Sequence, residues 1–279
     1  MRNLIAFSAV SIALLASPAA AQEREEPVIA QNSDAFTQSA DDALAQLAAR
    51  GFDQGLATPE LGSLSTAQLS ALATVIGQET PISGVTRGER GVVYDVILQP
   101  GHYQRTTGAV GTSGALVSER ALMGHIVGRI AADLRGRGLN VLVVSADSYL
   151  RDDQSTPAFD GLRARVFLSI HADGSVQPCA TGPSLAYHGD NSTLAMPAIG
   201  FALSTALGYE YADFRRDNFT VNSANYYMFR RVEAPTLTGL LEIGELTCPA
   251  TERDLVASSD KIATNVARAL SFTIETSAN

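Results

Sequence analysis

Three apolar runs in this chain each end at, or carry near their end, a side chain that can bind a metal ion or transfer a proton. The runs are Val96-Ile-Leu-Gln-Pro-Gly-His102, Val166-Phe-Leu-Ser-Ile-His171 and Gly239-Leu-Leu-Glu242-Ile-Gly244. Short apolar runs bounded by turn residues are typical of strands that are buried within a sheet. Because strand ends at one edge of an α/β sheet share a crevice, we expect His102, His171 and Glu242 to converge there.

A glutamate at the start of the next periodic segment completes a candidate metal site. Glu119 lies seventeen residues after His102 and directly follows Ser118, a residue type that often caps a helix. Two imidazoles and one carboxylate suit a catalytic zinc ion, which keeps a fourth position for water. A further carboxylate such as Glu242 is what a zinc hydrolase needs beside the metal. A simpler interpretation of Glu119, as a first-turn acid that complements the helix dipole, stays open.

From residue 92 onwards, runs with strand character alternate with segments of helical periodicity. We predict strands at 92–98, 139–144, 166–170, 185–188 and 237–243, and helices at 118–135, 194–207 and 251–273. Alternation of this kind indicates an α/β fold with a mainly parallel, twisted sheet and helices on both faces. We expect residues 91–279 to form the catalytic domain.

The first 90 residues divide into an export signal and a helical segment. Arg2 precedes a short apolar run that ends in three consecutive alanines, so residues 1–21 are predicted to be a cleaved signal peptide. A membrane anchor is the alternative, but the run falls short of the roughly 20 apolar residues that a spanning helix needs. Residues 22–90 are predicted to be a flexible and helical N-terminal segment and linker, with helices near 34–50 and from residue 65 or 66. Its role stays open between a hairpin packed on the catalytic domain, a small binding element and a spacer.

The charge and the cysteines suit an exported protein. The formal charge is −9, and it becomes −10 once Arg2 leaves with the signal peptide. Such an acidic chain disfavours nucleic acid and anionic membrane surfaces as partners. Export predicts a periplasmic location, with secretion as the second choice. Cys179 and Cys248, the only cysteines, each follow a proposed site strand closely, so a disulfide joining the two loops is expected. Two separate free thiols are the alternative.

Four segments resemble, in order, those of the zinc-dependent N-acetylmuramoyl-L-alanine amidases of the type-3 amidase family, which cleave bacterial cell-wall peptidoglycan. They are Val96–His102, Ser118-Glu119-Arg120, Leu168–Asp173 and Ala234–Gly244, within a resemblance that covers residues 92–275. The resemblance implies one Zn²⁺ per chain, held by His102, Glu119 and His171, with Glu242 as the catalytic acid/base. The chain departs from the usual family residues, which are acidic, Gly and Asn, at Gln99, Tyr103 and Asp173.

The activity implied by this resemblance is hydrolysis of the amide bond between N-acetylmuramic acid and L-alanine in peptidoglycan, for wall remodelling or cell separation. The partner would be a glycan strand with its stem peptides, and the need for a regulatory protein activator stays open. Two alternatives are a catalytically inactive peptidoglycan-binding module and a zinc peptidase that acts on the stem peptide. The wide spacing of the four residues disfavours the peptidase, because peptidase zinc motifs usually keep two ligands close together on one element.

Further polar residues lie near the predicted site, and their roles stay open. Glu245 competes with Glu242 for the catalytic role, although alternation along a strand puts the two on opposite faces. Asp173 is a candidate hydrogen-bond partner for a histidine ligand, and His125 is expected on the helix surface or behind the site. Candidates for substrate contact are His188, Arg215, Arg216, Asn222 and Asn225. Gly108, Gly111 and Gly114 are expected to form a flexible loop near the metal.

Overall fold

The computed structural model describes residues 42–58, 64–86, 88–103, 111–145, 161–180, 182–187, 194–211, 214, 229 and 231–277. Within these residues, the regular structure consists of six strands and six helices. The strands are β1 (Val93–Pro100), β2 (Val141–Val143), β3 (Leu162–Asp173), β4 (Ser184–Tyr187), β5 (Val232–Glu233) and β6 (Leu237–Glu245). The helices are α1 (42–49), α2 (Thr66–Gly77), α3 (Glu119–Gly136), α4 (Ala195–Leu207), α5 (Pro249–Ala257) and α6 (Ser259–Thr276).

The strands form one sheet in the order β2-β1-β3-β6-β4, with β5 paired to the start of β3. Every pair of these strands is parallel except β4 with β6. The register sets Val96 of β1 beside Val141 of β2 and Val166 of β3, and all three are buried. The predicted α/β fold with a mainly parallel sheet is therefore confirmed.

Alternation along the strands divides their buried side chains between the two faces of the sheet. On one face, Val96 and Leu98 join the large core that also contains the buried sides of α3, α4 and α6. On the other face, Ile97, Phe167 and Leu240 belong to a smaller apolar cluster, to which no described helix contributes. The described helices thus cover one face, and helical cover of the other face stays a prediction.

The N-terminal helices pack on the same core as the helices of the main fold. The ring of Phe52, just after α1, lies 4.9 Å from that of Phe272 on α6, and the buried side of α2 contributes to the same cluster. Asn265 of α6 donates from its amide nitrogen to the carbonyls of Ala57 and Ala202, and its amide oxygen accepts from the N–H of Ala57. Of the three roles left open for this segment, the packed hairpin is the one that these contacts support.

The helix starts predicted at Ser65 and Ser118 are confirmed, whereas the start predicted near residue 34 lies outside the described residues. The side chain of Ser65 accepts from the N–H of Gln68, and the Gln68 side chain accepts from the N–H of Ser65, which forms a capping box before α2. At the start of α3, Ser118 accepts a hydrogen bond from the N–H of Ala121. The second of these caps fixes where the helix carrying Glu119 begins.

The prediction of one closing helix at 251–273 is wrong, because α5 and α6 meet at a break at Ser258. Hydrogen bonds of helical spacing continue across it, from the N–H of Ser258 to Asp254 and from that of Ile262 to Ser258. The backbone of Ser258 (φ −101°, ψ 7°) nevertheless leaves the helical region. Serine side chains compete for nearby backbone groups, so a Ser-Ser-Asp sequence favours such a break over a continuous helix.

None of the described helices combines the length and the apolar character that crossing a bilayer requires.

The predicted disulfide is confirmed. Cys179 and Cys248 are bonded across a sequence separation of 69, and the bond ties the loop after β3 to the residue that precedes α5. A cross-link of this span restricts the unfolded chain much more than the folded one.

Replacing both cysteines by serine should lower the free energy of unfolding by about 2–4 kcal/mol, because the unfolded chain regains the entropy that the cross-link removes. Denaturant titration without reductant measures the difference, and the reduced wild-type protein should match the double variant. Coincident unfolding midpoints for the oxidised wild type and the double variant would contradict this expectation.

Candidate metal centre

The two predicted histidine ligands lie at the ends of neighbouring strands. β1 ends at Pro100, and the N–H of Gly101 donates to the carbonyl of Ile170 on β3 at 2.8 Å, which holds the turn against the sheet. His102 follows in the left-handed backbone region (φ 56°), which few residues with a side chain adopt. Its ring lies edge to face with that of His171, with the ring centres 5.7 Å apart. The Pro-Gly turn therefore brings the first histidine beside the second, as the sequence predicted.

Glu119 contacts both imidazole rings. Its Oε1 lies 2.8 Å from Nδ1 of His171, and its Oε2 lies 3.7 Å from Nε2 of His102. One ligand atom from each of the three side chains lies within 4.8 Å of the other two. Three nitrogen and oxygen donors at this spacing are able to hold one divalent cation. The His–Glu–His set is thus brought together in space.

Backbone groups and a distant carboxylate keep Glu119 in place. The N–H of Thr112 donates to Oε2 of Glu119 at 2.9 Å. Sequence reasoning missed Glu252, whose buried carboxylate holds the loop leading into Glu119. It accepts hydrogen bonds from three consecutive backbone N–H groups, those of Ala115, Leu116 and Val117. Because 135 to 137 positions separate these donors from Glu252, no local pattern could have revealed the contact.

Two glycines leave room for the cluster. A methyl group on Gly101 would lie 2.6 Å from Nδ1 of His171 and 2.9 Å from Oε1 of Glu119. A methyl group on Gly111 would overlap Oε2 of Glu119 and the ring of His102. Side chains do not tolerate such approaches to neighbouring atoms, so the absence of Cβ atoms at both positions is needed for the three donors to meet.

The environment of Glu119 favours its ionised form. Burial is the largest single effect and would raise the pKa of Glu119. The hydrogen bond and charge of His171, the charge of His102 and the hydrogen bond from the Thr112 N–H together outweigh it. The result is a pKa below the ordinary value. A carboxylate that stays ionised at neutral pH is the form that binds a cation.

Glu242 lies beside His171 on the next strand. The register pairs Glu242 of β6 with His171 of β3 on one side and with Ser184 of β4 on the other. Registered neighbours present their side chains on the same face of a sheet. Although the residue is partly exposed, its Oε2 atom is enclosed and has no hydrogen-bond partner among the described residues. Structural carboxylates are normally satisfied when buried, so this atom suits a role in proton exchange.

The pKa of Glu242 is shifted in the opposite direction from that of Glu119. Burial raises it well above the ordinary value, and the negative charges of Glu119 and Asp173 raise it further. Asp173 itself accepts a hydrogen bond from the N–H of Gly174. Two nearby carboxyl groups whose environments push their pKa values apart are typical of a site that needs one permanent charge and one proton carrier.

A chain of two buried polar residues lies behind His171. Nε2 of His171 lies 3.1 Å from Oγ of Ser169, and the hydroxyl of Ser169 donates to Oε1 of Gln99 at 2.7 Å. Sequence reasoning did not single out Ser169, although its position two residues before His171 places both side chains on one face of β3.

The remaining predicted residues are structural or lie outside the described ranges. Glu245 is buried and accepts from the N–H of Cys179 and the hydroxyl of Thr247, both at 2.7 Å, so its carboxylate holds a loop. His125 pairs with Asp260 of α6 at 3.1 Å. Outside the described residues are His188, Arg215, Arg216, Asn222, Asn225 and Gly108.

Gly101→Ala should weaken cation binding by at least about tenfold, because the new methyl group displaces Glu119 and His171 from their shared position. Zinc affinity, measured by competition with a chromophoric chelator, tests this. The control is Gly136→Ala at the end of α3, where a methyl group would meet nothing within 4 Å. Equal affinity in both variants would show that the cation is not held at this position.

Glu242→Gln should stabilise the metal-free protein at pH 8 and leave it unchanged near pH 4. Burial and the charges of Glu119 and Asp173 hold the folded-state pKa of Glu242 well above the ordinary value of 4.5. As the pH rises from 4.5 towards the folded-state pKa, Glu242 loses its proton in the unfolded chain and keeps it in the folded chain, so wild-type stability falls. Glutamine does not ionise, and the variant escapes that loss. Denaturant titrations with a chelator at several pH values should show a growing difference, whereas a difference independent of pH would contradict the raised pKa.

Comparison with known proteins gives this cluster a family context. A family model described as N-acetylmuramoyl-L-alanine amidase matches residues 96–271. The amidase AmiA of Escherichia coli (strain K12) is 32% identical over 162 residues, which cover 54% of this chain and 48% of AmiA. AmiA of Salmonella typhimurium is 31% identical over 153 residues, covering 50% of this chain and 49% of the relative. The chain thus spans about half the length of the curated relatives it matches.

Solved structures of similar fold carry related names. The N-acetylmuramoyl-L-alanine amidase AmiC2 of Nostoc punctiforme superposes with a TM-score of 0.52 at 20% identity, covering 67% of this chain and 99% of AmiC2. The catalytic domain of the amidase CwlV from Bacillus (Paenibacillus) polymyxa var. colistinus gives 0.52 at 22% identity, with coverage of 66% and 98%. At this identity the likeness establishes the shared α/β fold. Because the family model matches well over half of the chain and includes the His–Glu–His cluster, the chain belongs to the N-acetylmuramoyl-L-alanine amidase family, Amidase_3.

Proposed function

We propose that this chain is a zinc-dependent N-acetylmuramoyl-L-alanine amidase that cuts the amide bond between N-acetylmuramic acid and L-alanine in peptidoglycan. The observation that carries the proposal is the meeting of His102, Glu119 and His171 within 4.8 Å, with Glu242 in register beside His171 on the next strand. Three protein donors and a nearby carboxyl group are the minimum that hydrolysis at a catalytic zinc site requires. Family membership and the names of the relatives support the choice of substrate.

The donor set fits zinc. Two imidazole nitrogens and one carboxylate oxygen form a three-ligand set that leaves a further coordination position for water or substrate. The close approach of Gly101 and Gly111 to the cluster leaves space for the donors to meet. When bound there, zinc would supply a Lewis acid that polarises the carbonyl group and makes water acidic enough to react near neutral pH.

Glu242 is the residue that moves the proton. It takes a proton from the attacking water as the water oxygen bonds to the carbonyl carbon of the lactyl group. It then gives that proton to the amide nitrogen as the carbon–nitrogen bond breaks, so that L-alanine leaves as an amine. The lactyl group keeps a carboxylic acid, which loses its remaining proton to solvent. An amide nitrogen leaves poorly unless it is protonated. A pKa raised by burial and by the charges of Glu119 and Asp173 suits a group that must hold a proton between these two steps.

The rest of the chain would serve delivery and support. Residues 91–279 would form the catalytic unit, and residues 22–90 would support it through the packing of α1 and α2 on the large core. Residues 1–21 would direct export to the periplasm, where peptidoglycan is found and where the bond between Cys179 and Cys248 is stable.

Release of stem peptides from purified sacculi tests the proposal. The zinc-loaded chain should release peptides that begin with a free L-alanine amine, identified by mass spectrometry. Glu242→Gln should lower the rate of peptide release by about 10²–10⁴-fold, because the proton carrier is lost. Its zinc affinity should stay close to the wild-type value. Glu233→Gln is the matched control, since Glu233 is an exposed acid of the same sheet that pairs with Arg163.

The outcomes separate the alternatives. Cleavage within the stem peptide would replace the amidase assignment by a peptidase. Binding to sacculi with zinc retained and no peptide released would leave a wall-binding module.

A further inference from the structure

We propose that Ser169 and Gln99 are positioning residues that fix the ring of His171 so that Nδ1 presents its lone pair to the cation. The inference rests on the proposed metal site and adds two side chains that the assignment of three ligands does not include. Ser169 and Gln99 are fully buried.

The geometry forms a continuous path of hydrogen bonds from the inner sheet to the ligand. Gln99 of β1 and Ser169 of β3 are registered neighbours in a parallel pair, so their side chains lie on one face and in contact. Oε1 of Gln99 accepts from the hydroxyl of Ser169 at 2.7 Å. Oγ of Ser169 lies 3.1 Å from Nε2 of His171. The opposite ring nitrogen, Nδ1, is the atom that faces Glu119 at 2.8 Å.

Counting protons gives the path a direction. Without a cation, Nδ1 of His171 can donate to Glu119, but a ring nitrogen that binds a cation must carry a lone pair. In the cation-bound protein, the proton of neutral His171 therefore has to lie on Nε2. That N–H then donates to Oγ of Ser169, whose single hydroxyl proton is given to the amide oxygen of Gln99. If Nδ1 held the proton, Ser169 would have to donate to Nε2, and its oxygen would then face the oxygen of Gln99 without a proton between them.

The surroundings make this path energetically relevant. On the same face, Ile97 and Phe167 lie two positions further into the sheet, and Leu240 is the registered neighbour of Ser169 on β6; all three are buried in the smaller apolar cluster. Polar groups beside such a cluster are costly unless every hydrogen bond is made, and hydrogen bonds there are stronger than in water. Groups that orient a ligand histidine from behind typically change metal affinity by about 10–100-fold when removed.

Zinc affinity of substituted proteins tests the inference. Ser169→Ala and Gln99→Leu should each weaken zinc binding by about 10–100-fold, as expected for loss of a group that orients a ligand. Ser169→Thr keeps the hydroxyl on a residue suited to a strand and should restore affinity close to the wild-type value. Thr238→Val is the matched control, because it removes another buried hydroxyl of the sheet that bonds to the backbone carbonyl of Ala234. It should cost stability and leave zinc affinity unchanged.

A spectroscopic measurement reads the ring directly. In zinc-loaded protein with ¹⁵N-labelled histidine, the signals of His171, assigned by their loss in His171→Gln, should show the metal on Nδ1 and a slowly exchanging proton on Nε2. That proton should exchange rapidly in Ser169→Ala. The measurement on the wild-type protein holds even if the alanine variant does not fold.

The inference fails if Ser169→Ala binds zinc as tightly as wild type, if Thr238→Val weakens binding by the same factor, or if the metal lies on Nε2. These results would leave the proposed amidase function in place, since that depends on peptide release. Conversely, zinc binding that responds to Ser169 without any release of peptide would retain this inference and remove the amidase activity. A wild-type protein that binds no zinc would remove both.

Discussion

The contact of Glu119 with His102 and His171 is the interaction on which the site depends. It joins three parts of the chain that have no local reason to meet: a turn after β1, the first residue of α3 and the end of β3. A buried carboxylate is unfavourable by itself, and here the two imidazoles and the N–H of Thr112 compensate it. The same contacts therefore fix how the three chain segments pack and place three potential ligand atoms together.

The fold holds this contact from several directions. Ser118 caps α3 and thereby sets the position of Glu119, while Glu252 holds the preceding loop through three backbone N–H groups. Glu252 belongs to the first turn of α5, which begins directly after Cys248. The disulfide to Cys179 joins that helix start to the loop after β3. Supports that converge on one carboxylate keep a metal site pre-organised, so that little reorganisation is needed on binding.

The two carboxyl groups of the site divide its chemistry between them. Glu119 faces partners that favour its charge, whereas Oε2 of Glu242 is enclosed and the carboxyl group lies near the negative charges of Glu119 and Asp173. In the proposed function, the same residue type would therefore provide a permanent ligand at one position and a proton carrier at the other. Glu242 is in register with His171 on the neighbouring strand, and His171 contacts Glu119. The sheet register therefore brings the two carboxyl groups close to one another.

Much of this could be predicted from the sequence because the signals are local. An apolar run followed by Pro100-Gly101 predicts a strand end, and Ser118 before Glu119 predicts a helix start; both are confirmed. The longer-range parts could not be predicted. The pairing of Gln99 with Ser169 depends on the register of two strands, and the hold of Glu252 on its loop spans more than half of the described chain. The break at Ser258 was missed because apolar spacing continues across it, and periodicity does not detect one residue that leaves helical geometry.

The most direct measurement is X-ray diffraction from crystals grown with zinc, collected on both sides of the zinc absorption edge. We expect one strong anomalous peak at roughly 2.0–2.2 Å from Nε2 of His102, Nδ1 of His171 and a carboxylate oxygen of Glu119, with Glu242 beside it and not bound to the metal. An anomalous peak elsewhere, or a site that stays without one while its three side chains remain in contact, would contradict it.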